Sequence, residues 1–483
     1  MGALIAAVDK KGANISDVVV TMLEVLMHRG SDAFGIGSPH KVVIKNTVEE
    51  LRKEDMNSNI LVGHNFAKIL SRDKAQPVQN RDFTFAFDGR LFPAPSKSEV
   101  DYLLGKLEDI ENKGVYLIRS LNGDYVFAIA RDGEIVVGRD AVGACPLYFG
   151  ENENICAVAS ERKALWKIGI TKANSFPPGK LAVINEKGFR FEIAKIITQP
   201  PSQKSDMETA AEQLKQILFQ STKERISNVK EVAVAFSGGI DSSIVAFLTK
   251  LCHVDVHLVY VALERQKETA FAQRAATALG IPLHIFTYSI NDVKEILPKV
   301  LWLIEEPNPV NASIATPIFW VAEQSAKLGF NVLMAGQGGD ELFGGYHRYL
   351  ENYARHGLVG LQGKLYQDVV SLHESNLERD NKVCSFHNVE LRMPFIDWEV
   401  IRLALSFPAD FKIASSKDTL RKKILRRTAK KLGIPKIITE KTKKAIQYTT
   451  GVNQAMRKLA KKEGLTLRKY VEETFLKTYK MLE

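Results

Sequence analysis

The seven-residue run SGGIDSS at positions 237–243 constrains the fold of this 483-residue chain more than any other segment. It follows an unbroken apolar run of strand length at 232–236 and precedes a second apolar run at 244–248 that can begin a helix. An apolar strand without alternation is typical of a parallel sheet covered on both faces. Strand, glycine loop and helix together predict an open α/β domain whose loop holds an anion at a helix N-terminus.

The composition of this loop indicates that the anion is a phosphate group of a nucleotide. Glycines without a Cβ let a phosphate approach the backbone, and serine hydroxyls add hydrogen-bond donors. Asp241 would repel a phosphate unless a divalent cation lay between them, so we predict that it is a magnesium ligand. The alternative is a plain turn between strand and helix, whereas a Walker P-loop is excluded because the chain has no GxxxxGK[ST] motif. The predicted nucleotide-binding residues of the loop are Ser237, Gly238, Gly239, Asp241, Ser242 and Ser243.

A second glycine loop has the same character. The sequence AGQGGDELFGGY at 335–346 follows an apolar run at 332–334, and Asp340 within it would stand at the carboxyl edge of a strand, where open α/β sheets bind ligands. If the two strands are neighbours, Asp241 and Asp340 face one magnesium ion bound to ATP phosphates. The alternative interpretation of Asp340 is a helix cap.

Two regions of the chain differ in their hydrophobic pattern. Short alternating strands and two hairpins characterise the first region. In the second region strands and helices alternate, as in a doubly wound parallel sheet, and helices dominate after about residue 345. The polar stretch at 199–205 contains two prolines and is the best candidate for a linker. We therefore predict an N-terminal domain at 1–195, a linker at 196–207 and a C-terminal domain at 208–483.

Composition and charge narrow the class of protein. The content of 45% apolar and 25% charged residues is that of a globular protein. Four scattered cysteines without a CxxC pair predict reduced thiols rather than a disulfide framework or a zinc site. We see neither a signal peptide nor an apolar run of membrane length, so we expect a cytoplasmic protein without a membrane partner.

The net charge of +10 raises the question of a nucleic acid partner. The densest basic stretch, at 421–431, has apolar residues near helical spacing and few aromatic residues. Such stretches are usually solvated faces of helices, and we interpret this one in that way. We therefore expect no nucleic acid partner.

Four motifs of the C-terminal region resemble the glutamine-dependent asparagine synthetases, whose nucleotide domain is of the N-type ATP pyrophosphatase class. They are SGGIDSS, GQGGDELFGGY at 336–346, ELRMPFID at 390–397 and KTKKAIQYTTG at 441–451. The resemblance implies ATP and magnesium as cofactors, with Asp241 and Asp340 as metal ligands and with Val261 and Gly336 among the ATP-binding residues. It also implies that Lys443 is catalytic, because a late lysine of the family neutralises the phosphates as the adenylate forms.

Four positions in this region depart from the family pattern or leave a role open. Gln337 stands where the family often has a glutamate beside the acyl-adenylate, so it is a candidate catalytic residue whose role as a base is in question. Asn311 and Ser313 stand where some relatives have Thr and Arg in the segment that binds the acid substrate. Arg392 in ELRMPFID is open between a role in the site and a buried ion pair with an acid of the same motif.

The N-terminal region resembles a class II glutaminase domain of the αββα type, through segments such as RGSD at 29–32. Four positions lack the chemistry of that family. Ala3 aligns best with the N-terminal cysteine nucleophile, and Phe66 replaces the glutamine-binding arginine. Asp88 and Arg90 replace the asparagine and the glutamate of an NGE motif that forms the oxyanion hole and holds the glutamine amine. We predict that this domain is inactive as a glutaminase.

The resemblance implies an ATP-dependent carbon–nitrogen ligase that converts aspartate, ATP and ammonia to asparagine, AMP and pyrophosphate. Because the glutaminase residues are absent, we predict free ammonia as the nitrogen source. Two alternatives use the same loop: amide formation on another carboxylate, as in β-lactam synthetases, and modification of a nucleobase or tRNA. A third is a binding protein without catalysis. The expected partners are a small amino acid and ammonia, and a homodimer is compatible with the resemblance.

Overall fold

The computed structural model of the chain describes residues 2–107, 113–443 and 446–480. The chain forms two compact units, Met1–Ile197 and Thr198–Glu483. No helix in the described ranges is both long enough and apolar enough to cross a membrane. The four cysteines are free thiols.

The described residues of the first unit form two antiparallel sheets and five α-helices. Its strands are Gly2–Asp9 (β1), Ala33–Gly37 (β2), Val42–Lys45 (β3), Ile60–Phe66 (β4), Val78–Gln79 (β5), Thr84–Leu91 (β6), Gly123–Arg131 (β7), Glu134–Arg139 (β8), Tyr148–Glu151 (β9), Ile155–Ala159 (β10), Asn174–Ser175 (β11), Lys180–Asn185 (β12) and Gly188–Ile193 (β13). Its helices in the described residues are Ser16–Val25 (α1), Val48–Arg52 (α2), Glu99–Leu107 (α3), Lys113–Ser120 (α4) and Arg162–Lys167 (α5). The strand orders are β11-β9-β10-β1-β4-β2-β3 and β13-β12-β8-β7-β6-β5.

The two sheets stack face to face between two layers of helices. Alternate residues of β1 show this arrangement, because successive side chains of a strand point to opposite faces. Leu4 and Ala6 pack between the sheets, against residues of β7 and β8. Ala3 and Ile5 pack on the other side, against α1 and α5. Helices α3 and α4 cover the outer face of the second sheet.

The second unit is built on one parallel sheet. Its strands are Glu231–Ala235 (β14), Asp255–Leu263 (β15), Leu283–Tyr288 (β16), Val332–Met334 (β17) and Glu390–Arg392 (β18). Its helices in the described residues are Met207–Ile226 (α6), Ile240–Leu251 (α7), Lys267–Leu279 (α8), Ile290–Ile304 (α9), Pro309–Lys327 (α10), Gly339–Phe343 (α11), Arg348–Val370 (α12), Glu378–Ser385 (α13), Trp398–Ser406 (α14), Lys423–Lys431 (α15), Lys436–Thr439 (α16), Ile446–Thr449 (α17), Val452–Lys462 (α18) and Leu467–Lys480 (α19).

The order of the parallel strands is β16-β15-β14-β17-β18. Val232, Ala233 and Val234 are consecutive in β14 and all fully buried, so both faces of the sheet are covered. The prediction of a parallel sheet followed by a mainly helical C-terminal region is therefore confirmed, and so are the two predicted hairpins, β7–β8 and β12–β13. Strand β18 was not predicted, because three residues are too few to show a period of two.

Candidate active site

The candidate active site is a cavity of about 430 Å³ at the carboxyl ends of β14 and β17. The strand order runs outward from this central pair in opposite directions, and ligands bind at such a switch point in open α/β sheets. The sequence-predicted residues that line the cavity are Ser237, Gly239, Asp241, Ser242, Val261, Gly336, Gln337, Asp340 and Lys443. Nine predicted positions, eight from three motifs and Val261 from β15, therefore meet in one place.

The first glycine loop is held in shape by its own serines. The Ser242 hydroxyl accepts a hydrogen bond from the Ser237 N–H at 3.2 Å, and the Ser237 hydroxyl accepts one from the Gly239 N–H at 3.2 Å. Two predicted ligands of this loop do not line the cavity. Gly238 makes the turn with a left-handed φ of 68°, and a Cβ there would lie 3.1 Å from an aromatic ring atom. Ser243 is fully buried inside α7.

The second glycine loop packs directly against the first. An ideal Cβ on Gly336 would lie 2.9 Å from the Cβ of Asp241, and one on Gly339 would lie 2.9 Å from Asp241 Oδ1. A larger residue at Gly336 would push the two loops apart, and one at Gly339 would displace the carboxylate of Asp241. The close approach leaves Asp241 and Asp340 beside each other, as the sequence predicts for two acids that share one cation.

Two lysines neutralise the paired acids. Lys422 Nζ lies 2.6 Å and 2.5 Å from the two carboxylate oxygens of Asp241 and 2.6 Å from Asp340 Oδ1. Lys443 Nζ lies 2.7 Å from Asp340 Oδ2 and 3.9 Å from Asp241 Oδ2. The Lys422 side chain has no solvent exposure. Lys443 was predicted from the sequence, whereas Lys422 was not.

These charges set the protonation states at the centre of the site. Burial alone would raise the pKa of Asp340, but the attraction of Lys422 and Lys443 outweighs it and holds that pKa well below its usual value. Burial likewise lowers the pKa of Lys443, yet Asp340 and Asp241 raise it above the usual value. Asp340 is therefore ionised and Lys443 is charged near neutral pH, and the cluster can receive both a divalent cation and phosphates.

Arg426 holds in place both segments that carry the lysines. Its guanidinium donates to the carbonyl oxygens of Arg421 at 2.7 Å, Thr439 at 2.6 Å and Lys441 at 2.9 Å. The interpretation of 421–431 as a solvated helix face is thus wrong for its first half, since Arg421, Lys422 and Arg426 are all buried. Arg421 and Lys422 precede helix α15, which begins at Lys423, whereas Arg426 lies within it and lines the cavity.

A third acid lines the cavity beyond the second loop. Asp380 on α13 accepts hydrogen bonds from Gln337 Nε2 at 3.0 Å and from Arg379 Nε at 2.7 Å. Arg379 also donates to Asn311 Oδ1 at 3.2 Å. Ser313 does not reach the cavity, because it is buried and its hydroxyl donates to the Val310 carbonyl in its own helix. A guanidinium is therefore present at this end of the cavity, supplied by Arg379 on α13.

Glu341 is a fourth acid of the cavity lining. It accepts hydrogen bonds at 2.5 Å from the Tyr346 hydroxyl and at 2.6 Å from the Asn376 amide. Burial and the negative charge of Asp340 raise its pKa.

Arg392 forms a buried ion pair with Glu390 at 2.6 Å and does not line the cavity. The structural alternative for Arg392 is therefore the correct one.

The donor set fits a magnesium ion that is also bound by a nucleotide. Magnesium takes oxygen ligands and is usually held by one or two carboxylates together with substrate phosphates. Asp241 and Asp340 supply two such carboxylates at one edge of the sheet. Within the described ranges no group of three or more His, Cys, Asp or Glu residues can hold a metal alone. This cluster therefore suits a cation that arrives with phosphates.

The predicted glutaminase positions of the first unit are not all together. Phe66 on β4 lies opposite Gly2 of β1, which was not a predicted position, and Asp88 and Arg90 lie on β6, which packs against β1 and β4. Ala3 points away, into the cluster covered by α1 and α5. Gly2 has the orientation that faces the other sheet, but an ideal Cβ there would lie 1.9 Å from the Asn65 carbonyl oxygen. No side chain fits at Gly2 without a shift of the backbone.

Arg90 fills the pocket that Phe66 and His64 line in this unit. Its guanidinium forms two bonds with Asp73, at 2.7 Å and 2.6 Å, and a third with Glu99 at 3.2 Å. Burial would raise the pKa of Asp73, but Arg90 lowers it to about 2. The space that remains is about 20 Å³, which is enough for one water molecule.

The family model for asparagine synthase matches residues 213–362 and 356–481, which is more than half of the chain. The chain belongs to the asparagine synthase family. The predicted resemblance is thereby confirmed, and this family member is an ATP-dependent carbon–nitrogen ligase. The family model for a glutamine amidotransferase domain matches residues 56–177, within the first unit.

Two curated relatives show how far the similarity extends. A Methanocaldococcus jannaschii protein, provisionally named glutamine-hydrolyzing asparagine synthetase 1, is 30% identical over 94% of this chain and 94% of its own length. The glutamine-hydrolyzing asparagine synthetase B of Escherichia coli is 25% identical over 83% of this chain and 74% of its own. Among solved structures, the glutamine PRPP amidotransferase of B. subtilis aligns with 59% of this chain and 65% of its own at 18% identity and a TM-score of 0.35.

Proposed function

We propose that this family member amidates a carboxylate with formation of AMP, with aspartate as the leading substrate and free ammonia as the nitrogen donor. The observation that carries the proposal is the cluster of two acids and two lysines at the meeting point of two glycine loops. A nucleotide whose phosphates lay on the N-terminus of α7 would place its pyrophosphate group beside this cluster.

The residues divide the chemistry between them. The substrate carboxylate attacks the α-phosphorus, the bond to the β-phosphate oxygen breaks, and pyrophosphate leaves. Lys443, now 2.7 Å from Asp340, meets the charge that develops on the leaving group. Asp241 and Asp340 would hold magnesium, which shields phosphate charge when it is bound. The N–H groups at the start of α7 and the hydroxyls of the first loop orient the phosphates.

The first unit supports ammonia rather than glutamine as the nitrogen donor. A small-molecule pocket normally needs several hundred Å³, whereas Arg90, Asp73 and Glu99 leave about 20 Å³. The strand position that faces this region is Gly2, where a cysteine side chain would collide with the Asn65 carbonyl oxygen. We propose that the unit neither binds glutamine nor hydrolyses it.

One alternative remains supported by a specific observation. The acid-binding end is lined by Asn311, Gln337 and Arg379. Gln337 stands where the family often has a glutamate and Asn311 where some relatives have a threonine, so amidation of another amino-acid carboxylate is the second candidate. The RNA-modifying alternative loses its main support, because Arg421, Lys422 and Arg426 are buried rather than displayed on a basic surface.

A panel of amino acids tests the proposal. Each acid is incubated with ATP, magnesium chloride and ammonium chloride, pyrophosphate release is recorded, and the products are identified by mass. We expect aspartate to support release and to give asparagine. Pyrophosphate release that depends on a different acid selects the second candidate, and release that no acid stimulates contradicts the proposal. The Asp340→Asn variant is the control for release by a contaminating enzyme.

A further inference from the structure

The hydrogen-bond chain Arg379–Asp380–Gln337 has a fixed direction. Arg379 Nε donates to Asp380 Oδ1 at 2.7 Å, and Gln337 Nε2 donates to Asp380 Oδ2 at 3.0 Å. A carboxylate whose charge is balanced by an adjacent guanidinium has acceptors and no donor. The Gln337 amide must therefore turn its NH₂ group toward Asp380.

The orientation of the amide decides what Gln337 offers to the cavity. With the NH₂ group bound to Asp380, the Oε1 atom is the end of the amide that is left for a ligand. Both residues line the cavity, where Gln337 is half-buried and Asp380 is fully buried. The side chain that a ligand meets at this point is consequently a hydrogen-bond acceptor.

Resting on the proposed function, we infer that Asp380 is a positioning residue that presents Gln337 Oε1 as the acceptor for an N–H of the attacking ammonia. Ammonia carries three N–H donors and one lone pair, so an acceptor that takes one N–H leaves the lone pair free to attack. A donor at the same place would instead compete for that lone pair and block the attack.

The location of Gln337 suits this role. It follows Gly336, which packs closely against Asp241, so the side chain stands between the two acids predicted to bind magnesium and the acid-binding end. In the second half-reaction a C–N bond forms, the C–O bond to AMP breaks, and one proton leaves the nitrogen. Gln337 accepts a hydrogen bond from that nitrogen but is not protonated. The proton that leaves the nitrogen passes to water.

Two substitutions of nearly unchanged shape test the direction of the chain. In Asp380→Asn, Arg379 still requires an acceptor, so the amide NH₂ of residue 380 faces Gln337. Gln337 must then reverse and present its NH₂ group to the cavity. In the double variant Gln337→Glu with Asp380→Asn, the new amide donates to one oxygen of the glutamate, and the other oxygen again offers an acceptor to the cavity.

The two half-reactions are measured separately in the full chain. Adenylation is followed as acid-dependent exchange of pyrophosphate into ATP, and amidation as product formation with increasing ammonium chloride. We expect Asp380→Asn to lower kcat/KM for ammonium on the order of 10- to 100-fold more than it lowers exchange, as for a lost or reversed buried hydrogen bond in the amidation step. We expect the double variant to recover most of this loss.

Several outcomes would overturn the inference and leave the proposed function standing. One is a double variant no better than Asp380→Asn. Another is a higher KM for the acid substrate with unchanged ammonium kinetics, which would show that Gln337 binds the acid substrate and not ammonia. A third is an equal loss of exchange and amidation, which marks a structural role. Absence of acid-dependent exchange in the parent protein would instead refute the proposed function. Melting temperatures of all variants identify any that fail to fold.

Discussion

Replacing Lys422 by methionine tests how the buried ammonium group affects protein stability and magnesium binding. Methionine keeps most of the length of the lysine stem and removes the ammonium group. Lys422 Nζ now contacts Asp241 at 2.5 Å and Asp340 at 2.6 Å, with no exposure to solvent. The variant would leave these two acids with Lys443 as their remaining close lysine, so we expect a less stable protein that binds magnesium more readily.

The size of the effect follows from the geometry. At 2.6 Å and an effective dielectric constant of about 20, one contact is worth about 6 kcal/mol of Coulomb energy, from which desolvation subtracts several kcal/mol. Removing one partner of a buried pair costs about 3 to 5 kcal/mol, and Lys443 still compensates part of the charge, so we expect about 3 kcal/mol. For a unit of this size that corresponds to a fall of about 6 °C in Tm.

Thermal unfolding with and without magnesium chloride measures both effects. Magnesium at about ten times its Kd would restore about 1.4 kcal/mol to Lys422→Met, because the cation takes the place of the ammonium group. Lys441→Met is the matched control, since Lys441 also lines the cavity and pairs with Glu268 at 2.8 Å. An unchanged Tm for Lys422→Met, or a magnesium response equal to that of the control, would refute the reasoning.

Three further predictions concern catalysis and pH. Asp241→Asn and Asp340→Asn should each lower turnover by about 100-fold or more while the fold persists, as circular dichroism can show, and turnover within a few-fold of the parent would remove them from the metal site. Lys443→Ala should lower kcat more than it raises the KM for ATP, because the charge it meets develops as pyrophosphate leaves, and a change in KM alone would assign it to ground-state binding. Burial lowers the pKa of His64 to about 3 and that of His387 to about 4, so the unfolded chain binds these protons first and stability falls as the pH drops below about 6.5. Between pH 7 and pH 5 the two histidines together should lower the free energy of unfolding by about 4 kcal/mol. A His64→Phe variant whose denaturation midpoint shows the same pH dependence as the parent would contradict this.

The two glycine loops could be predicted from sequence because their chemistry is local. Each loop joins a strand, a turn that needs glycine and the start of a helix within a short segment. The unbroken apolar run before each loop indicates a strand of a parallel sheet. The neighbouring positions of β14 and β17 were an assumption, and the sheet order bears it out. Strand β18 was not predicted, because its three residues carry too little pattern and its pairing with β17 is visible only in the folded sheet.

The parts of the site that were missed depend on contacts between distant residues. Lys422 lies 181 positions from Asp241, and the basic run around it has the pattern of an exposed helix. The one available signal was that Ile424 and Leu425 make that run amphipathic, so one side had to be buried. Asp380 lies in a segment that matches no recognisable motif. Its importance becomes visible only through its hydrogen bond with Gln337, which is 43 positions away in the sequence. No local pattern reveals such a pairing.

The nitrogen source is the central claim, and it can be measured directly. Product formation is followed in ammonia-free buffer with glutamine as the sole nitrogen donor, beside the same assay with ammonium chloride, and glutamate release is quantified in both. Because Arg90 and Asp73 fill the pocket and Gly2 leaves no space for a nucleophile, we predict amide formation with ammonium and none above background with glutamine. Glutamine-supported turnover comparable to that with ammonium, with one glutamate released per amide formed, would contradict the account.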